Sequence, residues 1–286
     1  MIKTVSINFR PDDESCLPLL RQLIDFLNVE GVTILLPQYD IIRNDECYAL
    51  AVPHDQFVNS PELIIVIGGD GTVLRTSRLF CGTGTPIFGI NRGRLGFLTE
   101  FNPDEYPHHL KRVLEGNFNS MERLVLEAIL IRDGGEVMSL CFLNDAVIHK
   151  GSISRPIRLE MKIDGNFLST YTGDGLIIST PTGSTAYSLS AGGPIITPTE
   201  AKIFLLNPIC PHSLAMRPMI VPASSDFSVR IISDFSNLLL TIDGQEVITI
   251  GGNDEVCIRQ SNRNIRLITH PEKNYYSILR EKLGWG

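Results

Sequence analysis

The sequence predicts an α/β + β fold: an N-terminal doubly wound α/β domain followed by a mostly-β, sandwich-like domain. Three observations predict it. Strand-like and helix-like segments alternate over the first 118 residues. Leu63-Ile-Ile-Val-Ile67 is an unbroken apolar run, as expected of a parallel strand buried on both faces. From about residue 120, Asp-Gly turns separate apolar stretches, a strong local hairpin signal. The chain has 286 residues, which suits one large domain or two modest ones. The expected division is 1–118 for the α/β domain and 119–269 for the β domain, with 270–286 a candidate to pack back on the first.

In chain order, Met1–Asn8 reads as the first strand. Leu19, Leu20, Leu23, Ile24 and Leu27 recur at helical spacing, and Gly31 is placed to end that helix. Val32–Leu36 reads as a strand, residues 37–61 as an irregular stretch with a loop, and 63–67 as the central strand. A glycine loop follows, then a short helix from about Val73 and a strand at Pro86–Ile90. In the second half, Arg158–Ile163 and Phe167–Tyr171 flank Asp164-Gly165, and Leu238–Ile242 and Glu246–Ile250 flank Asp243-Gly244. Ser277–Leu283 reads as a terminal helix.

Hydrophobic residues make up 43% and charged ones 20%, which excludes a disordered chain. The formal net charge of −7 argues against nucleic acid as a partner, because such binders carry a basic field. No apolar run approaches the ~20 residues that span a bilayer, so no membrane partner is expected. Met1–Ile7 lacks the apolar core of a signal peptide. The six cysteines form no C-x-x-C or Cys/His cluster, so zinc is not expected and the thiols are read as mostly buried in a reducing, cytoplasmic compartment.

Gly68-Gly69-Asp70-Gly71-Thr72 lies at the carboxyl end of the predicted parallel strand, where open α/β sheets bind ligands. Its glycines and the following helix start suit a phosphate. A carboxylate beside a phosphate needs a task, such as holding Mg²⁺ or accepting a hydroxyl proton; the plainer reading is Asp70 as a helix cap. The loop is neither a Walker motif nor G-x-G-x-x-G. Asp174 opens a second block in which Thr180, Thr182, Ser184 and Thr185 supply hydroxyls and Tyr187 an aromatic ring, suited to sugar, phosphate and base. A capped helix start explains the same residues, and Gly183-Ser184-Thr185 fails the G-x-S-x-G elbow. Asn144-Asp145 offers two vicinal acceptors to a ribose diol, or a simple bulge. Arg155 could bring charge to phosphate, and Gln245 lies in what is first of all a hairpin turn. His108-His109 reads as the exposed face of a helix.

Together the motifs resemble the NAD kinase family. The resemblance runs through Gly68–Thr72, Gly89-Ile-Asn-Arg-Gly-Arg-Leu-Gly-Phe-Leu-Thr-Glu100, Asn144-Asp145, Thr180–Pro194, Arg217-Pro218 and Asp243-Gly244-Gln245, in that order. It implies transfer of the ATP γ-phosphoryl group to the 2′-hydroxyl of the adenosine ribose of NAD, giving NADP. By that resemblance Asp70 is the catalytic proton acceptor, with Gly71 and Arg75 near phosphate. Asn144 and Asp145 hold ribose hydroxyls. Arg155, Thr172, Asp174, Thr182, Thr185, Ala186, Tyr187, Ser188, Leu189, Ser190 and Gln245 line the nucleotide sites. Thr172 is a departure, since some members carry a basic residue there. A divalent cation, Mg²⁺, is expected on the phosphates through water and few side chains, with no protein metal cage. The family implies a homo-oligomer, a dimer or tetramer. Two other readings remain open on the motifs: a lipid kinase of the diacylglycerol or sphingosine type, and a non-catalytic dinucleotide sensor.

Overall fold

In the computed structural model, which describes residues 1–93, 95–151, 155–198, 202–233 and 237–285, Leu63–Ile67 is a fully buried strand inside a six-stranded sheet. The order is Thr33–Leu35, Thr4–Phe9, Leu63–Ile67, Ile87–Ile90, Ile265–Ile268, Ser120–Arg123. The first five are parallel to their neighbours. Side chains alternate across a strand, so Val5, Ile7, Leu63, Ile65 and Ile67 share one face. They pack with Leu20, Leu23 and Leu27 of the Leu17–Val29 helix and with Tyr106 and Leu110 of the Tyr106–Leu114 helix. Ser6 lies on the opposite face and donates its hydroxyl to the Phe57 carbonyl at 2.7 Å. The 37–61 stretch, expected to be irregular, holds short 3-10 turns at Asp40–Ile42 and Glu46–Leu50 and a helix at His54–Asn59.

Contacts divide the chain into Met1–Glu122 with Ile265–Gly286, and Arg123–Asn264. The division falls there because Ser120–Arg123 and Ile265–Ile268 are both strands of the first unit's sheet.

The second unit contains two antiparallel six-stranded sheets. One runs Asn166–Gly173, Ile157–Ile163, Phe227–Ile231, Glu255–Gln260, Leu126–Arg132, Gly135–Phe142. The other runs Met219–Pro222, Ile203–Ile209, Gly175–Ser179, Asp145–His149, Leu238–Ile242, Glu246–Ile250. Leu159, Met161, Val229 and Ile258 of the first sheet share one core with Ile148, Ile178, Leu206 and Leu240 of the second. This face-to-face packing is a β-sandwich. The hairpin turns form where Asp-Gly predicts them: Asp164 and Asp243 take φ of 50° and 49°, and Gly165 and Gly244 follow at 75° and 65°.

Two sequence expectations need correction. Only Cys16 and Cys47 are buried; Cys81, Cys141 and Cys257 are half-buried and Cys210 is exposed, and all six are free thiols. The helix after the glycine loop begins at Asp70, a turn earlier than expected.

Candidate active site

The first turn of the Asp70–Leu79 helix closes directly on the glycine loop. Thr72 and Val73 donate their N–H groups to the Gly69 carbonyl at 2.9 and 3.2 Å, so Gly69 is the N-cap and Asp70 is already helical. Asp70 is therefore not the cap, and its carboxylate points elsewhere. Oδ2 accepts the Phe97 N–H at 2.9 Å. Oδ1 accepts the Leu98 N–H at 2.9 Å and the Thr99 hydroxyl at 3.3 Å. Gly96 makes this seat possible, because a Cβ there would land on the Asp70 carboxylate and the Thr99 hydroxyl. Arg94 of the same Gly89–Glu100 block lies outside the described residues. Arg92 is held by Ser15 and Asp13. Gly71 is exposed in the first turn of the helix, and the Arg75 guanidinium stands 5.6 Å above the Tyr39 ring.

Within the second unit, the Asn144 bend and the Thr180–Ser190 block pack on each other. The Asn144 carbonyl accepts the Thr180 N–H at 2.9 Å, and the Thr180 hydroxyl donates to the Leu143 carbonyl. Gly183 lies against the Asn144 carbonyl so closely that any Cβ would collide with it. Thr182–Thr185 is a 3-10 turn and Tyr187–Ser190 a single helical turn. Several of the hydroxyls are engaged within the protein. The Ser184 hydroxyl is fully buried among Pro181 and Ile196 backbone groups, which rules it out as an exposed nucleophile. Thr185 donates to the Thr182 carbonyl, and Ser188 is buried against the Asn207 amide. Thr182 is 9% exposed, while Tyr187 and Ser190 are exposed and Ala186 and Leu189 half-buried.

The remaining candidates lie further apart in character. Arg155 is exposed beside residues outside the description, and Gln245 is exposed in its hairpin turn. Thr172 is half-buried near the end of its strand. Asp174 pairs with the Lys150 ammonium at 2.7 Å. Lys150 thus brings positive charge to this neighbourhood; the sequence offered no signal for it beyond its nearness to Arg155. The other feature the motifs did not reveal is Asp243. Its carboxylate accepts the N–H groups of Leu143, Asn144 and Asp145. Burial, and then the charge of Asp243, push the neighbouring Asp145 carboxyl up to about 7.

His109, expected on an exposed helix face, instead groups with Glu105 and His270, one ligand atom from each lying within 4.8 Å of the others. The chemistry is that of a clamp. The Lys273 ammonium already sits 2.6 Å from Glu105 Oε1 and also donates to the Glu100 carbonyl. The Glu272 N–H donates to His270 Nδ1 at 3.1 Å, which places the neutral ring's proton on Nε2 and leaves no lone pair for a metal. Burial lowers the pKa of both imidazoles.

A carboxylate seated at the carboxyl end of a parallel strand, in a chain whose other half is a β-sandwich with hydroxyl-rich turns, suits a nucleotide phosphotransferase. Residues 5–118 match the ATP-NAD kinase N-terminal domain and residues 143–270 the ATP-NAD kinase C-terminal domain. The chain belongs to the NAD kinase family. It is 46% identical over 286 residues to the NAD kinase of Magnetococcus marinus, covering 99% of this chain and 94% of that one. The NAD kinase of Aquifex aeolicus is 43% identical over 246 residues, 86% of this chain and 87% of its own. Among solved structures, yeast NADH kinase complexed with NADH superposes with a TM-score of 0.91 at 29% identity, covering 100% of this chain and 88% of that one. An NAD kinase from Archaeoglobus fulgidus in complex with ATP superposes at 0.76 and 23% identity over 99% of this chain and all of its own, a likeness of fold. Matches to this family across both halves favour it over the lipid-kinase reading.

Proposed function

We propose that Asp70 accepts the proton of the 2′-hydroxyl of the adenosine ribose of NAD as the γ-phosphoryl group of ATP passes to that oxygen. The 2′-oxygen–phosphorus bond forms, the bond from γ-phosphorus to the bridging oxygen breaks, and NADP and ADP leave. One observation carries the reading: the Asp70 carboxylate is fixed by two backbone N–H groups and a hydroxyl. Phosphoryl transfer requires positioning and charge neutralisation more than covalent chemistry. A held carboxylate meets the first need, and Oδ2, which takes a single N–H, keeps a lone pair for the proton.

The dinucleotide is held from the second unit. Asn144 and Asp145 take ribose hydroxyls, and Thr182, Thr185, Ala186, Tyr187, Ser188, Leu189 and Ser190 line the base and nicotinamide portions. Exposed Tyr187 offers its ring for stacking. Arg155, Thr172, Asp174 and Gln245 complete the lining, and Gly71 and Arg75 attend the phosphates. The glycine loop presents one carboxylate, which suits a Mg²⁺ ion that takes most of its six oxygens from phosphates and water. Such an ion would neutralise phosphate charge, with Asp70 the residue facing it. The chain works as a homo-oligomer in the cytoplasm; exposed Ile220 and Val247, on the two edge strands of one sheet, support self-association. Among the described residues no helix is long and apolar enough to cross a membrane.

Replacing Asp70→Asn tests the base. The kcat for NAD and ATP is expected to fall 10²–10⁴-fold, roughly 3–5 kcal/mol of barrier, with NAD affinity retained. A native kcat in a folded variant refutes the assignment.

A further inference from the structure

A two-residue hairpin turn asks little of its first position: an Asp or Asn that tolerates positive φ, exposed to water. Asp243 has the φ, 49°, but is only 6% exposed, and its side chain turns into the protein. Its carboxylate accepts the Asn144 N–H at 2.7 Å and those of Leu143 and Asp145 at 3.2 Å. Its own N–H donates to the Asp145 carbonyl at 2.8 Å. Three successive N–H groups can converge on one carboxylate only if the chain bends there, and that bend carries Asn144 and begins the strand of Asp145. The Asp145 carboxyl is 4% exposed and makes no hydrogen bond among the described residues. From the strand on its other side the register partner is Ser179, which is neutral. Asp243 is therefore the charged group that acts on Asp145 among the described residues.

We propose that Asp243 is a positioning residue for NAD: its three N–H bonds shape the Leu143–Asp145 bend that presents Asn144 and Asp145 to the ribose, and its carboxylate acts on the Asp145 carboxyl beside it. Below about pH 7, where Asp145 keeps its proton, an anionic dinucleotide faces one negative charge in this corner instead of two. The inference rests on the reading of Asn144 and Asp145 as ribose-holding residues.

The sign of the pH effect follows. Below about 7 the Asp145 carboxyl keeps its proton; above it the group ionises, loses its donor and adds a second charge. NAD binding should therefore weaken as pH rises through that value, by as much as tenfold per unit. Calorimetric titration of NAD into the full chain from pH 5.5 to 8.5 reads this directly. Asp145→Asn, uncharged at every pH, should flatten the curve. Asp243→Asn removes the neighbouring charge, so its inflection should lie lower, with weaker binding throughout. A purely structural Asp243 would change affinity or melting temperature and leave the inflection in place. Superposable inflections in the native and Asp243→Asn proteins overturn the proposal, as does a native inflection retained by Asp145→Asn. The latter variant decides the matter if Asp243→Asn does not fold. Turnover of NAD with ATP, measured on the same native sample, separates the cases. A protein that neither binds nor phosphorylates NAD refutes the functional reading itself, while an active protein with unmoved inflections refutes only this role.

Discussion

Asp70 owes its orientation to a loop more than twenty residues downstream. The Phe97 and Leu98 N–H groups fix both carboxylate oxygens, and the missing side chain at Gly96 leaves room for them. Gly96→Ala would force the carboxylate or the loop to move, and displacement of a reacting group by about 1 Å can cost about 100-fold in rate. The expected outcome is a loss of kcat of that order with little change in KM for NAD, read by steady-state kinetics. Native kcat in Gly96→Ala would mean the seat has no bearing on the reaction. The glycine loop and the 89–100 block are both legible in the sequence, but not that one holds the other's carboxylate. That link is a hydrogen-bond geometry with no sequence period. The same holds for Asp243, whose Asp-Gly signature announces only a turn, and for His270, which joins His109 across the length of the first unit's sequence.

At the scale of elements, the strongest local signals were the most accurate. Leu63–Ile67 is the predicted strand to the residue, and so are both arms of the Leu238–Ile242 and Glu246–Ile250 hairpin. Both patterns state their environment directly, a strand buried on two faces and a pair joined by Asp-Gly. The helix after the glycine loop starts before the point its pattern predicts, because glycines count against helix in propensity whereas Gly71 here costs only first-turn entropy. The stretch 37–61 has too little periodicity to betray its 3-10 turns. The terminal helix, Tyr275–Leu283, has a reciprocal cap: Asn274 Oδ1 accepts the Ser277 N–H at 2.9 Å, and Ser277 Oγ accepts the Asn274 N–H at 3.2 Å. Asn274→Ala should cost about 1 kcal/mol, seen as a lower denaturant midpoint with unchanged slope. An unaltered midpoint would show that packing of Ile278 and Leu279 holds the helix without its cap.

The first unit is discontinuous in sequence: the chain leaves it at residue 122 and returns at 265 to supply a strand between Ile87–Ile90 and Ser120–Arg123. The returning segment is then fastened by Lys273 to Glu105 and by the His270 N–H to Glu100 at 2.7 Å. A chain ending at Asn264 lacks an inner strand of that sheet but keeps every strand of the sandwich. Limited proteolysis of such a truncation should leave a protected fragment of about residues 123–264 while residues 1–122 are degraded. Protection of residues 1–122 would show that the first unit folds without its returning strand.

By itself the sequence determined the family, the α/β-then-β order, the central strand, the hairpins and the loop that carries Asp70, because each is written in contiguous residues or a short period. Only the tertiary structure decided which backbone groups grip Asp70, that Asp243 turns inward to hold Asn144 and Asp145, and that the chain's last strand lies inside the first sheet. Those facts depend on register and burial between segments far apart in the chain, and no local pattern of side chains encodes them.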